Sequence, residues 1–155
     1  MDDSLLGKSA PDFELPATGE QTVSLSDLQG QNVVLYFYPR DSTSGCTTEG
    51  LEFGENLAAF KATNTLIFGV SKDGMKSHEN FKAKQSFPFE LLSDEESDVC
   101  EKYLCFKLKK NYGKEYMGIE RSTFLINAEG KVVKEWRKVK VAGHVAEVLA
   151  AAEAL

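Results

Sequence analysis

Residues 33–38 read VVLYFY, an unbroken apolar run of β-branched and aromatic side chains. A strand wet on one face alternates apolar with polar residues. A run without alternation has to be covered on both faces. The chain therefore needs layers above and below a central sheet. Pro39 ends the run, because proline cannot donate to a sheet ladder. TLIFGVS at 65–71 repeats the pattern, and FELLSD at 89–94 gives a shorter strand.

The intervening segments have helical periodicity. From 47 to 62, Phe53, Leu57 and Phe60 fall at helical spacing, with Leu51 and Ala58 filling the face. KDGMKSHENFKAKQS is a second helix with a weaker face through Met75, His78 or Asn80, and Phe81. Asp94 is placed to cap a third, ESDVCEKYL. STFLIN and KVVKEWR, separated by AEG, predict a hairpin. The alanine-rich tail sets Val145, Val148 and Leu149 at helical spacing. Ahead of the long run, GKSAPDFELP is an extended arm ending at Pro16, followed by a TGEQ turn and a short strand. Strands interleaved with helices, then an antiparallel hairpin, predict an α/β fold with a mixed central sheet flanked by helices. With 155 residues and no repeat, linker or low-complexity tract, one domain over 1–155 is expected.

The charge balance narrows the function. A net charge of -6 argues against nucleic acid, which needs clustered Lys and Arg. The one basic stretch, KLKKNYGK at 107–114, is expected to be a solvated loop or helix end. There is no apolar run of membrane-spanning length. The opening MDDSLLGKSAPDF is acidic and unlike a signal peptide, so the cytoplasm is the expected compartment. Cys100 and Cys105 are spaced C-x4-C, and His78 and His144 stand alone, which is no zinc-ligand pattern. No metal or cofactor is expected. Three cysteines do not make a disulfide framework, but they leave room for a reactive thiol.

That thiol is Cys46. It follows the polar turn DSTSG, just past the carboxyl end of the central strand, where α/β folds place chemistry. The thiolate is the nucleophile, and with an ordinary pKa near 8.5 only a few per cent of a thiol is ionised at neutral pH. A helix N-terminus favours the anion. Gly45 allows close approach of the backbone, and Thr43 and Thr47 bring hydroxyls.

Pro39, Thr43 and Cys46 form P-x-x-x-T-x-x-C, with Glu49 three residues on. Together with GKSAPDFEL, CTTEG, VSKDGMKSHENF, YGKEYMGIERSTFLI and WRKVKVAGH, this resembles the peroxiredoxins over almost the full length. The subfamily it resembles is the bacterioferritin-comigratory, or peroxiredoxin Q, group. The resemblance implies a thioredoxin-like fold with an N-terminal hairpin extension. It implies that Cys46 is a peroxidatic nucleophile reducing hydrogen peroxide and organic hydroperoxides through a sulfenic acid. Thr43 would hydrogen-bond the peroxide, Arg121 would stabilise thiolate and polarised O–O bond, and Glu49 would orient Arg121. Pro39 would stiffen the loop and shield the thiol from water.

Two positions depart from the pattern. Ser44 stands where the family usually has proline, which frees the loop. Leu51 and Lys82 stand where relatives carry a resolving cysteine. Three routes remain for clearing the sulfenic acid: an external thiol (thioredoxin, glutaredoxin or glutathione), Cys100 or Cys105, or a second chain joined through Cys46. The one-cysteine route with an external thiol is favoured, in a monomer, with a dimer as the alternative. The competing function is a redox sensor or relay that passes oxidation to a partner. A thioredoxin-type oxidoreductase needs C-x-x-C, and Glu49 occupies the second cysteine's place.

Overall fold

The computed structural model describes residues 4–155, the side chain of Asn111 apart. Residues 1–3, which include Asp2 and Asp3 and are part of the opening compared above with a signal peptide, lie outside the described residues. Among the described residues nine strands form: β1 (Glu14–Ala17), β2 (Gln21–Ser24), β3 (Asn32–Phe37), β4 (Thr65–Ser71), β5 (Glu90–Ser93), β6 (Phe106–Asn111), β7 (Lys114–Ile119), β8 (Ser122–Ile126) and β9 (Val132–Trp136). Five helices accompany them: α1 (Ser44–Glu55), α2 (Leu57–Ala62), α3 (Met75–Gln85), α4 (Val99–Lys102) and α5 (His144–Glu153).

The main sheet has seven strands in the order β2-β1-β5-β4-β3-β8-β9. β3, β4 and β5 run parallel, while β8 lies antiparallel to β3 and β9 antiparallel to β8. The β1–β2 hairpin closes the other edge, so the expected N-terminal hairpin is present and its first strand runs past Pro16 to Ala17.

β3 is central and covered on both faces, as its composition requires. Val33, Leu35 and Phe37 face a core that includes Val99, Cys100, Tyr103 and Cys105. Val34, Tyr36 and Tyr38 face the opposite core, with Cys46, Phe53, Phe60 and Val148. Side chains alternate across a strand, so Cys46 lies on one face of the sheet and the other two cysteines on the other. All three thiols are free and buried. A hydrogen bond with Cys105, and then burial, pushes the Cys100 thiol far up.

Three local expectations are corrected. The helix expected over 47–62 starts earlier, at Ser44, and is broken in two at Asn56. The Asn56 side chain donates back to the Glu52 carbonyl at 2.9 Å, competing with the backbone ladder. Residues 107–114, expected as a solvated loop or helix end, form most of a second hairpin. Phe106 pairs with Ile119 and Leu108 with Met117 across it. Tyr112 and Gly113 take φ of 51° and 78°, the left-handed pair that a tight two-residue hairpin turn needs. Asp94 does cap, although α4 is only four residues long. Its two carboxylate oxygens accept from the Val99 and Cys100 amides at 3.1 and 2.7 Å.

Gly50 decides how α1 seats on its neighbours. A Cβ there would lie 2.5 Å from the Phe87 ring, which stacks on Phe89 and packs edge-on to Phe81. With its ring neighbours already in place, Phe87 has little room to yield. Gly50→Ala is expected to cost about 1–3 kcal/mol of stability despite the better helix propensity of alanine. Urea denaturation measures this, and an unchanged or raised midpoint would refute the packing account.

Candidate active site

The chain leaves β3 through Tyr38, whose amide still bonds the Val70 carbonyl at 3.0 Å. Pro39 and Arg40 are exposed at the strand end. Ser42 turns the chain with φ 64°, and Thr43, in extended geometry, occupies the N-cap position of α1 without a side-chain cap bond. Cys46 is the third residue of that helix, in the turn whose amides have no intrahelical partner.

Arg121 enters from the other side. It stands between β7 and β8, and its backbone carbonyl is held by the Val139 amide at 3.0 Å. Its guanidinium forks. Nη2 donates to Cys46 Sγ at 3.3 Å, and Nη1 donates to Glu49 Oε1 at 2.6 Å. Cys46 and Glu49 are three residues apart on one helix, hence on one face. A Cβ on Gly45 would sit 3.2 Å from Nη2, so glycine there leaves space for the guanidinium. Burial opposes the charge on Arg121, but Glu49 and Cys46 outweigh it and hold its pKa up.

The structure thus brings Cys46, Glu49 and Arg121 into direct contact. Thr43 is exposed, and its hydroxyl donates to the Arg40 carbonyl at 2.9 Å. Pro39 stands exposed at the loop's start.

Two further side chains reach this site, neither of them expected there. His144, taken from sequence to stand alone, places Nε2 3.9 Å from Glu49 Oε2 and 2.8 Å from Thr123 Oγ1. Lys109, read as part of a solvated segment, lies in β6 near enough to feel Arg121 and Cys46. Burial, then the charge of Arg121, pulls its ammonium pKa down. Both depend on long-range strand and helix placement, which no local spacing encodes.

Glu49 is fully buried, and its Oε2 has no hydrogen-bond partner. Burial raises its pKa to about 7, with Arg121 opposing. Burial also lowers His144 to about 4, so the ring is neutral at pH 7. The two respond to pH with opposite sign. Glu49 is higher in the folded chain (about 7) than its ordinary 4.5, so the folded state holds an extra proton between those values. Its contribution to stability is complete below 4.5 and is lost as pH rises through about 7. His144 is lower in the folded chain (about 4) than its ordinary 6.5, so the unfolded state holds the extra proton. Its contribution is complete above 6.5 and is lost as pH falls through about 4. Where the windows overlap, the two nearly cancel. His144→Asn is expected to uncover stability falling with rising pH, and Glu49→Gln stability rising with it. Urea midpoints across this range test the pair, and three parallel profiles would refute it.

Comparison with known proteins matches this arrangement to a family. Residues 6–135 match the AhpC/TSA family. Peroxiredoxin Bcp of Bacillus subtilis is 54% identical over 144 residues, covering 93% of this chain and 92% of that protein. Peroxiredoxin Bcp of Xanthomonas campestris is 51% identical over 157 residues, covering 99% and 98%. A structure of the Xanthomonas campestris bacterioferritin comigratory protein superposes with a TM-score of 0.88 at 50% identity, covering 92% of this chain and 90% of that one. The mixed sheet with its flanking helices is the thioredoxin-like fold of these proteins. The chain belongs to the AhpC/TSA family, as a peroxiredoxin of the bacterioferritin-comigratory group.

Proposed function

We propose that this peroxiredoxin reduces hydroperoxides at Cys46 and returns to its thiol state through an external thiol. The contact that carries the assignment is Arg121 Nη2 at 3.3 Å from Cys46 Sγ, in the first turn of α1. A guanidinium and the positive end of a helix stabilise charge on that sulfur. The thiolate attacks one peroxide oxygen. An S–O bond forms, the O–O bond breaks, and the leaving oxygen takes a proton to depart as water or alcohol. Cys46 is left as the sulfenic acid.

Arg121 is the electrostatic stabiliser, since its donors are fixed where charge develops. Glu49 positions the fork. The Cys46 amide, free of the helix ladder, is available to the bound oxygen. Thr43 supplies its hydroxyl by rotating away from the Arg40 carbonyl. Pro39 stiffens the start of the loop. The Xanthomonas campestris relative has alkyl peroxide reduction activity, which supports organic hydroperoxides as substrates alongside hydrogen peroxide.

A thiol of thioredoxin, glutaredoxin or glutathione then attacks the sulfenic sulfur, releasing water. A second thiol cleaves the mixed disulfide and restores Cys46. This one-cysteine route is favoured because Leu51 and Lys82 stand at the usual resolving positions and Cys100 and Cys105 lie across the sheet. Three free thiols suit a reducing compartment such as the cytoplasm. A monomer, folded as one domain, is the simplest working form.

The missing internal partner also favours a second reading, a relay that hands oxidation to a protein target. The decisive measurement is hydroperoxide consumption with thioredoxin and its reductase, and separately with glutathione. Many turnovers per Cys46 are expected with at least one of them. Consumption that stops at one equivalent in every arm identifies a relay.

A further inference from the structure

When the thiolate attacks and the O–O bond breaks, the departing oxygen is an alkoxide or hydroxide and needs a proton. Arg121 cannot give one up, because a guanidinium stays protonated in proteins. A second cation, Lys109, acts on the same site. It lies in β6 opposite Tyr116 of β7. Phe106 and Ile119 pair at the root of this hairpin and pack it against the core. Side chains alternate across a strand, so Lys109 points away from the face that carries Phe106. Its chain runs past Gly118, three residues before Arg121. A Cβ on Gly118 would lie 3.3 Å from Lys109 Cδ and 3.6 Å from Cε, so glycine there leaves the room that the lysine chain occupies.

Lys109 is half-buried. Two similarly sheltered lysines are paired: Lys72 with Asp94 and Glu101, and Lys82 with Glu90. The next residue along, Lys110, reaches Glu115 at 3.6 Å. The Lys109 ammonium makes no ion pair or hydrogen bond among the described residues. The charges that act on it are those of Arg121, Glu120 and Cys46. Sheltering a charge without a partner is costly. Burial, then the repulsion of Arg121, accordingly loosens its proton. A lysine in such surroundings gives up a proton more readily than one in water.

We propose that Lys109 is the general acid of the peroxide step and gives its proton to the oxygen that leaves. The Cys46 thiolate attacks the terminal peroxide oxygen. The S–O bond forms as the O–O bond breaks, and the electron pair of the broken bond stays on the departing oxygen. That oxygen takes a proton from Lys109 Nζ. The products are the sulfenic acid, an alcohol or water, and a neutral amine, which solvent then reprotonates. Arg121 keeps its fork on Cys46 and Glu49 throughout, so charge stabilisation and proton supply fall to different residues. This rests on the Cys46 assignment above.

The test turns on the leaving group. The alkoxide released from tert-butyl hydroperoxide is strongly basic and needs a proton to depart. Peracetic acid releases acetate, a weak base that departs as the anion. Stopped-flow oxidation of Cys46 by each reagent at neutral pH is compared in the parent, Lys109→Gln and Lys109→Arg. Thiolate fraction and packing act on both reagents alike, so the ratio of the two rates isolates the proton. In Lys109→Gln the rate with tert-butyl hydroperoxide is expected to fall about 100-fold, while that with peracetic acid stays within about threefold of the parent. Lys109→Arg keeps the charge without a transferable proton, and is expected to fall with the glutamine variant. A tert-butyl hydroperoxide rate within about threefold of the parent in either variant, or both reagents slowed equally, overturns the general acid. Failure of the Cys46 assignment is separately visible as consumption of both reagents that persists in Cys46→Ser.

Discussion

Cys46→Ser is expected to lower the rate of hydroperoxide consumption by at least about a thousandfold while leaving the fold intact. A serine hydroxyl is nearly isosteric with the thiol and can still accept from Arg121 Nη2, so the packing around residue 46 survives. Its oxygen is almost wholly protonated at neutral pH and is a weak nucleophile. The nucleophile is lost without loss of the pocket, and removing a nucleophile abolishes nearly all of the chemical step. Consumption is followed directly, with circular dichroism confirming the fold. Residual activity within tenfold of the parent would remove Cys46 from its role. Cys100→Ser and Cys105→Ser, on the other face of the sheet, serve as the contrast and are expected to keep the oxidation rate.

Arg121→Lys is expected to slow oxidation of Cys46 about 100- to 1000-fold, although the charge is conserved. Arginine serves two partners at once: Nη1 holds Glu49 at 2.6 Å and Nη2 holds the sulfur at 3.3 Å. An ammonium is a point charge and cannot reproduce that planar fork. Drawn to Glu49 it leaves the sulfur, and drawn to the sulfur it leaves a buried carboxylate without its strongest donor. Loss of that charged hydrogen bond costs about 1–3 kcal/mol. The Glu49 pKa, already about 7, then rises further as its partner withdraws. Stopped-flow oxidation and urea denaturation read the two effects. A lysine variant as fast as the parent would show that charge alone suffices.

How much of this was legible in the sequence differs by element. VVLYFY announced a strand covered on both sides, because its apolar run leaves no wet face, and β3 is that strand. The segment after Pro39 showed a loop running into a helix, and Cys46 does stand in the helix's first turn. The helix break at Asn56 was not legible, since apolar spacing continues through it and only the side-chain bond to Glu52 marks the interruption. The β6–β7 hairpin was missed because its strands are lysine-rich and poor in β-branched residues, so charge obscured the alternation of Phe106 and Leu108. The tight turn at Tyr112 and Gly113 was the overlooked signal. Arg121 and Glu49 could both be named only from the family pattern. His144 could not, because α5 comes near Glu49 only after the sheet is assembled. The packing role of Gly50 was not legible either, because its lack of a side chain matters only once the Phe87 ring is in place.

The seven-stranded sheet that divides the cysteines also acts as an insulator. On the one-cysteine route proposed above, oxidising equivalents that arrive at Cys46 stay there while the strands are paired, because Cys100 and Cys105 pack in the opposite core. The lifetime of the oxidised sulfur is then governed by the supply of reductant in the surrounding solution, not by an internal clock. When that supply is short, a second peroxide competes for the same atom, and the molecule's survival becomes a running record of its surroundings' thiol balance.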